Sequence, residues 1–145
     1  MLPRWHILLG GIFTLLFGLI YPGTYWGYLL LIFLASFLID FDHYMNAVWK
    51  GGSFSLFSAF NYYDKLGKKL EEDHKRGIRR RSDFQIFHTL EFHIVVALLG
   101  FIWIGFWYIL IGMIFHSLLD VISLRYKGYL YVREYLFFAW LINNI

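Results

Sequence analysis

Two long stretches of this chain are almost free of charge. Trp5 through Ile39 contains no Lys, Arg, Asp or Glu, and Phe84 through Leu124 contains only Glu91 and Asp120. As a single helix the first stretch would be about 50 Å long, against a hydrocarbon core about 30 Å thick. Each stretch therefore reads as a hairpin of two spans. Tyr21-Pro22-Gly23-Thr24 is a turn signature inside the first, and Gly100 to Gly105 is the turn expected in the second. The pattern predicts helices over residues 5–21, 24–40, 85–101 and 104–123. The first two are near the minimum length for crossing a bilayer. The expected fold is all-α: one domain over residues 1–145, an integral membrane four-helix bundle built from two transmembrane hairpins.

The polar segments between and after the hairpins carry their own apolar patterns. In the loop 41–83, residues 54–70 place Leu56, Phe60, Tyr63, Leu66 and Leu70 on one helical face, with Phe57 beside it. That predicts an amphipathic helix lying in the membrane interface, with Lys65, Lys68 and Lys69 at headgroup level. In the tail, 126–145, the apolar run Tyr135 to Ile142 is too short to span and reads as a second interfacial segment.

Composition agrees and excludes alternatives. Apolar residues make up 59% of the chain and charged residues 16%, with a mean hydropathy of +0.56. A soluble domain has about 45–50% and about 25% respectively. Intrinsic disorder is excluded by the same excess of apolar residues. With no cysteine, disulfide scaffolds, thiolate zinc sites and thiol chemistry are excluded as well. A secretory signal peptide is not expected at Arg4 and the run after it. No small-residue cleavage site follows, and the segment turns straight into a second apolar run.

The 13 Lys and Arg lie at Arg4, in the loop 41–83 and after Leu124. Four spans put these regions on one side, and the positive-inside rule makes that side cytoplasmic, both termini included. The expected location is a multi-pass plasma membrane protein. The stretch Glu71 to Asp83, with Arg79-Arg80-Arg81, reads first as a solvated, topology-fixing loop. The same charges would gather anionic lipid or phosphate. The run is too short to suggest nucleic-acid binding, which is not expected.

Ionisable groups inside greasy segments need a reason, and here there are many: His6, Asp40, Asp42, His43, His88, Glu91, His93, His116 and Asp120. Any one alone reads as an interfacial anchor or a helix cap. Yet the topology gathers all of them at the same, cytoplasmic end of the bundle. His116 and Asp120 are spaced i, i+4, and His88 and Glu91 i, i+3, so each pair shares a helix face. Asp40 and His43 are also i, i+3. Asp42 lies off that face unless a helix end turns it inward. His93 lies about 140° around an ideal helix from His88 and is expected to be an outer partner at most.

Asp40 and Asp120 fall near predicted helix C-termini, where carboxylates are disfavoured, and several acids would repel one another there. A bound cation offsets both problems. Imidazole and carboxylate without thiol suit Zn²⁺ first, with Mn²⁺ or Fe²⁺ as alternatives, and the number of donors allows one to three ions. The expected ligands are His6, Asp40, Asp42, His43, His88, Glu91, His116 and Asp120, with Glu91 or Asp42 as the alternative general base.

The order of these motifs resembles the YdjM-type membrane-bound metal-dependent hydrolases. That family shows an early His, a P-D-x-D-H motif, H-R-G-x-T-H-S, and a late His followed by Asp. Here His6 matches the early His, Asp40, Asp42 and His43 the D-x-D-H, and His116 and Asp120 the late pair. Ile39 replaces the proline. His88-Thr89-Leu90-Glu91-Phe92-His93 keeps the spacing of two His but lacks the Arg-Gly. The ligand order is similar, more distantly, to zinc-dependent phospholipase C and single-strand nucleases. The resemblance implies metal-assisted hydrolysis. With the site at headgroup depth, membrane lipid is both the expected environment and the expected substrate, as a phosphoester or ester. Two rivals are a non-enzymatic metal-binding scaffold and a haem-binding electron carrier using His88 and His116.

Overall fold

The computed structural model describes residues 3–144, with side chains over 5–142. The expected role of Arg4 in setting sidedness therefore lies outside the described side chains. Among the described residues every regular element is helical. The chain runs through α1 (Pro3–Ile20), α2 (Trp26–Leu38), α3 (Phe41–Gly51), α4 (Leu56–Lys75), a 3-10 turn at Ile86–His88, α5 (Leu90–Leu99), α6 (Gly105–Tyr126), a second 3-10 turn at Leu130–Val132, and α7 (Phe137–Asn144).

Proline opens α1, where its missing N–H and fixed φ are tolerated. The turn predicted at Tyr21–Thr24 closes with a bond from the Thr24 N–H to the Tyr21 carbonyl, 3.0 Å. Helices α2 and α3 run nearly end to end. At the joint Asp40 N–H bonds Phe37 O at 3.2 Å, and His43 N–H bonds Asp40 O at 3.0 Å. These three-residue steps break the regular α spacing. The joint therefore resets the register of everything after Ile39. Counted across it, Trp26–Gly51 is long and apolar enough to cross a membrane, as is Gly105–Tyr126. The remaining apolar helices, Trp5–Ile20 and Leu90–Leu99, are shorter.

The third expected helix, 85–101, is cut short at its start. Thr89 is extended and its Oγ1 accepts from the Phe92 N–H at 3.3 Å, a hydroxyl cap that starts α5 at Leu90. Residues 85–88 are thereby kept out of the helix.

Helix α6 is the organising element. It packs on α2, α5 and α1, and α2 also packs on α1. The approach of α2 to α6 is set by Gly112. A Cβ there would lie 2.3 Å from the backbone oxygen of Ile32 and 2.8 Å from Ala35 Cβ. From α1, Gly10 approaches Ser36 just as closely, 2.0 Å from its Oγ to the position a Cβ would take. Small residues permit this backbone proximity between apolar helices. Between α5, α6 and the end of α2, Ile39, Val96, Leu110 and Met113 form a buried apolar cluster.

Burial is inverted relative to a water-soluble domain. Buried polar and charged side chains outnumber buried apolar ones among the described residues, while Leu15, Leu19, Ile20 and Ile122 stand more than 60% exposed. Apolar surface outside and ionisable groups inside is the distribution that a lipid solvent favours.

The predicted amphipathic helix 54–70 is found as α4, starting two residues later and extending to Lys75. Leu56, Phe57 and Phe60 are exposed on it. It is tied down by Asp83, which accepts from Tyr62 Oη at 2.7 Å and from Lys50 Nζ at 2.5 Å. Burial and the bond to Asp83 push the Tyr62 hydroxyl up to about 12, so it remains a donor at ordinary pH. Ion pairs Arg80–Asp73 and Arg81–Glu134 then fix the basic loop to α4 and to the tail. The tail folds back over α5. Trp140 of α7 stacks on Phe84 with centroids 4.3 Å apart, and Leu90 N–H bonds Tyr135 O at 2.9 Å.

Candidate metal centre

Three chain segments deliver four donors to one buried point. Asp40 comes from the α2–α3 joint, His88 from the 3-10 turn, and His116 and Asp120 from one face of α6. Their ligand atoms all lie within 4.8 Å of one another. His88 Nε2 and His116 Nε2 are 3.1 Å apart. His116 Nε2 is 3.4 Å from both Asp40 Oδ1 and Asp120 Oδ2. His88 Nε2 is 3.6 Å from Asp40 Oδ1 and 3.9 Å from Asp120 Oδ2. A tetrahedral ion with bonds of about 2.0–2.1 Å needs ligand–ligand edges of about 3.3 Å. The observed edges scatter around that value.

The tautomers follow from the outer partners. His116 Nδ1 is 2.9 Å from the Ser36 carbonyl, which can only accept, so Nδ1 carries the proton. His88 Nδ1 lies 3.0 Å from Asp42 Oδ2, which also accepts from the Phe87 N–H at 3.1 Å. With both Nδ1 atoms donating, the two Nε2 atoms face each other and two carboxylate oxygens. Donor atoms at this spacing repel one another unless a cation, or a proton on an Nε2, sits between them. Histidine held through its second nitrogen by a carboxylate or carbonyl is the usual support of a metal-ligating ring.

The charge balance points the same way. Asp40, Asp42 and Asp120 bring three carboxylates, and Arg133 Nη1 bonds Asp120 Oδ2 at 2.7 Å. Carboxylates gathered this closely favour a divalent cation among them. A buried Asp40–His88–His116–Asp120 group of this composition could hold such an ion.

The other expected residues are placed as follows. His6 is fully buried, stacks on His116 with centroids 3.9 Å apart, and holds Nε2 at 3.2 Å from Asp120 Oδ1. Its ring nitrogens nonetheless lack an aligned hydrogen-bond partner. His43 Nε2 is 3.4 Å from Asp40 Oδ1, and Gln85 Nε2 reaches its Nδ1 at 3.2 Å. Asp42, His43 and His88 form a second, overlapping donor group. Asp42 faces inward because the joint at Ile39–Asp40 interrupts the helical register that would have turned it away. The dipole expected to oppose Asp40 is also altered there: Asp40 sits at the N-cap position of α3, yet makes no side-chain cap bond. Its carboxylate is left for the cluster.

Glu91 lies outside both donor groups. Its carboxylate accepts from the Phe137 N–H at 2.9 Å and the Phe138 N–H at 3.3 Å, capping α7 from another helix. Glu91→Ala is expected to lower the melting temperature while leaving metal content unchanged. A thermal melt beside elemental analysis checks this, and lost metal would return Glu91 to the ligands. His93 bonds Thr89 O at 2.8 Å and Ser117 Oγ at 3.2 Å, and so links α5 to α6.

Arg133, Ser36 and Gln85 were not singled out from sequence. For Arg133 a signal existed: it is a lone cation just before the apolar tail run. The carbonyl role of Ser36 leaves no trace in residue type.

The cluster is sealed on most sides and open on one. His88, His116 and Asp120 side chains are at most 2% exposed, whereas Asp40 is 17% and His43 23% exposed. Asp40, His43 and Arg133 form part of the wall of a cavity of about 580 Å³ between the α2–α3 joint and α4. Against protein-family models, curated proteins and solved structures, this chain has no match.

Proposed function

We propose that this chain is an integral membrane, metal-dependent hydrolase acting on a phosphoester or ester of a membrane lipid. The observation that carries the reading is the meeting of two imidazole nitrogens and two carboxylate oxygens at 3.1–3.9 Å, beside a cavity of ligand size. Four protein donors would fill a tetrahedral shell, the pattern of a structural site, so a hydrolytic role requires that Asp40, the most exposed of the four, give way to water. The 3.1 Å between His88 and His116 leaves no slot for a macrocycle, which weighs against the haem reading.

In this reading all four apolar helices lie in the bilayer, and the charged loop and tail mark the cytoplasmic face. Zn²⁺ is the first choice of ion, with Mn²⁺ or Fe²⁺ as alternatives; bound there, it supplies Lewis acidity and lowers the pKa of water. The residues do the rest. Asp42 fixes the tautomer and tilt of His88, and the Ser36 carbonyl does the same for His116. Arg133 offsets the charge of Asp120. With the Gln85 amide turned so that its Oε1, otherwise buried without a partner, accepts from the His43 Nδ1–H, His43 keeps a bare Nε2 on the cavity side of Asp40 to take the proton that water loses as its oxygen bonds to phosphorus or carbonyl carbon. His43 then gives that proton to the leaving oxygen as the ester bond opens.

The test uses the full chain purified without chelator. Near-stoichiometric metal is expected, with release of phosphate or fatty acid from anionic phospholipid vesicles. His43→Gln should keep the metal and lose turnover by about 100-fold or more. Metal below stoichiometry after adding Zn²⁺ and Mn²⁺ would overturn the reading. Full metal without turnover on any lipid would leave a scaffold.

A further inference from the structure

The wall of the cavity beside the cluster combines two chemistries. Lys68 of α4, Lys127 after α6 and Arg133 of the tail line it, together with Asp40 and His43 of the cluster. Leu38, Leu56 and Phe60 line it as well. Those apolar residues are each about half exposed or more, at 51%, 64% and 54%. The apolar part of the wall therefore also reaches the outer surface, on α2 and α4.

Arg133 connects the two sites. Its Nη1 is engaged by Asp120, its side chain is 11% exposed, and it also lines the cavity. A guanidinium is suited to holding two oxyanions at once. Among the lining residues other than Asp40, only Asp64 opposes the three cations. An uncharged acyl ester would not need this array. A phosphate would.

We propose that this cavity is the recognition pocket for a phosphate-bearing amphiphile. Lys68, Lys127 and Arg133 hold the phosphate beside the cluster, and Leu38, Leu56 and Phe60 receive the start of the hydrocarbon chains. The proposal rests on the hydrolase reading for its meaning, but not for its test, which measures binding. It narrows the substrate class from lipid esters in general to phosphoesters carrying an apolar tail.

Calorimetric titrations of the full chain in detergent, with Zn²⁺ and with chelator, would compare three probes. Dihexanoyl phosphatidate carries both features, glycerol 3-phosphate only the phosphate, and dihexanoylglycerol only the tails. Phosphatidate is expected to bind at least about tenfold tighter than either fragment. Lys68→Gln/Lys127→Gln should weaken phosphatidate by about tenfold and leave dihexanoylglycerol unchanged. Phe60→Ala should weaken phosphatidate and leave glycerol 3-phosphate unchanged. Equal binding of glycerol 3-phosphate would make this a free-phosphate site and overturn the proposal. Equal binding of dihexanoylglycerol would make it a plain apolar groove and do the same, as would unaltered binding in the lysine variant. Selective phosphatidate binding without turnover would uphold the pocket and sink the hydrolase reading instead.

Discussion

Replacing His116 with alanine is expected to leave a folded helical chain that no longer retains metal. His116 contributes the Nε2 with the shortest set of edges to the other three donors, and its Nδ1 is already committed to Ser36 O. No neighbouring donor can replace it, because His6 is stacked face to face on the ring and points toward Asp120 Oδ1. Affinity should fall by more than the 10–100-fold that follows loss of an outer partner. Asp42→Asn removes such an outer partner from His88, so it should fall within that 10–100-fold range. Equilibrium dialysis against a competing chelator measures both. Equal affinities in the two variants would mean that the donors have been assigned to the wrong shells.

The second large effect is expected at Gly112, which touches no donor. A methyl group there meets the Ile32 carbonyl oxygen at 2.3 Å and the Ser36 N at 3.1 Å, both backbone atoms that no rotamer change can move aside. Gly112→Ala must therefore push α2 away from α6, at a cost of about 1–3 kcal/mol. His116 lies one turn further along the same face, so the displacement opens its bond to Ser36 O. Gly112→Ala should lower both the melting temperature and metal affinity, the latter by about 10–100-fold. Gly23→Ala is the control: nothing lies within 4 Å of the added methyl. A Gly112→Ala chain with native melting temperature and affinity would show that the α2–α6 contact does not position the site.

Much of the centre was legible because it obeys local rules. The His116–Asp120 pair announces itself by i, i+4 spacing in an apolar helix, and Asp40 and His88 by ionisable type where lipid disfavours it. The apolar runs likewise gave the helices and their turns. What could not be read depends on chain segments meeting in space. Glu91 shares a face with His88 only if one helix carries both. The Thr89 cap ends that helix between them, and α7 claims the carboxylate. The inward turn of Asp42 depends on three-residue hydrogen bonds at the joint, which no apolar period encodes. Arg133 sits in a tail whose path back over α5 is set by the Phe84–Trp140 stack and the Leu90–Tyr135 bond.

The sequence distances across the cluster have a consequence for how the chain is held together. His88 meets Asp42 across 46 positions, His116 meets His88 across 28, and His116 meets Ser36 across 80. An ion bound by Asp40, His88 and the α6 pair thus acts as a cross-link that closes long loops of the unfolded chain. Cross-links of that kind stabilise mainly by removing freedom from the disordered state, and more for longer loops. Binding free energy at such a centre adds directly to folding free energy, about 4 kcal/mol when free metal stands at a thousand times its dissociation constant. The same ion that equips the cavity for chemistry would thereby serve as the knot that ties the first hairpin to the second.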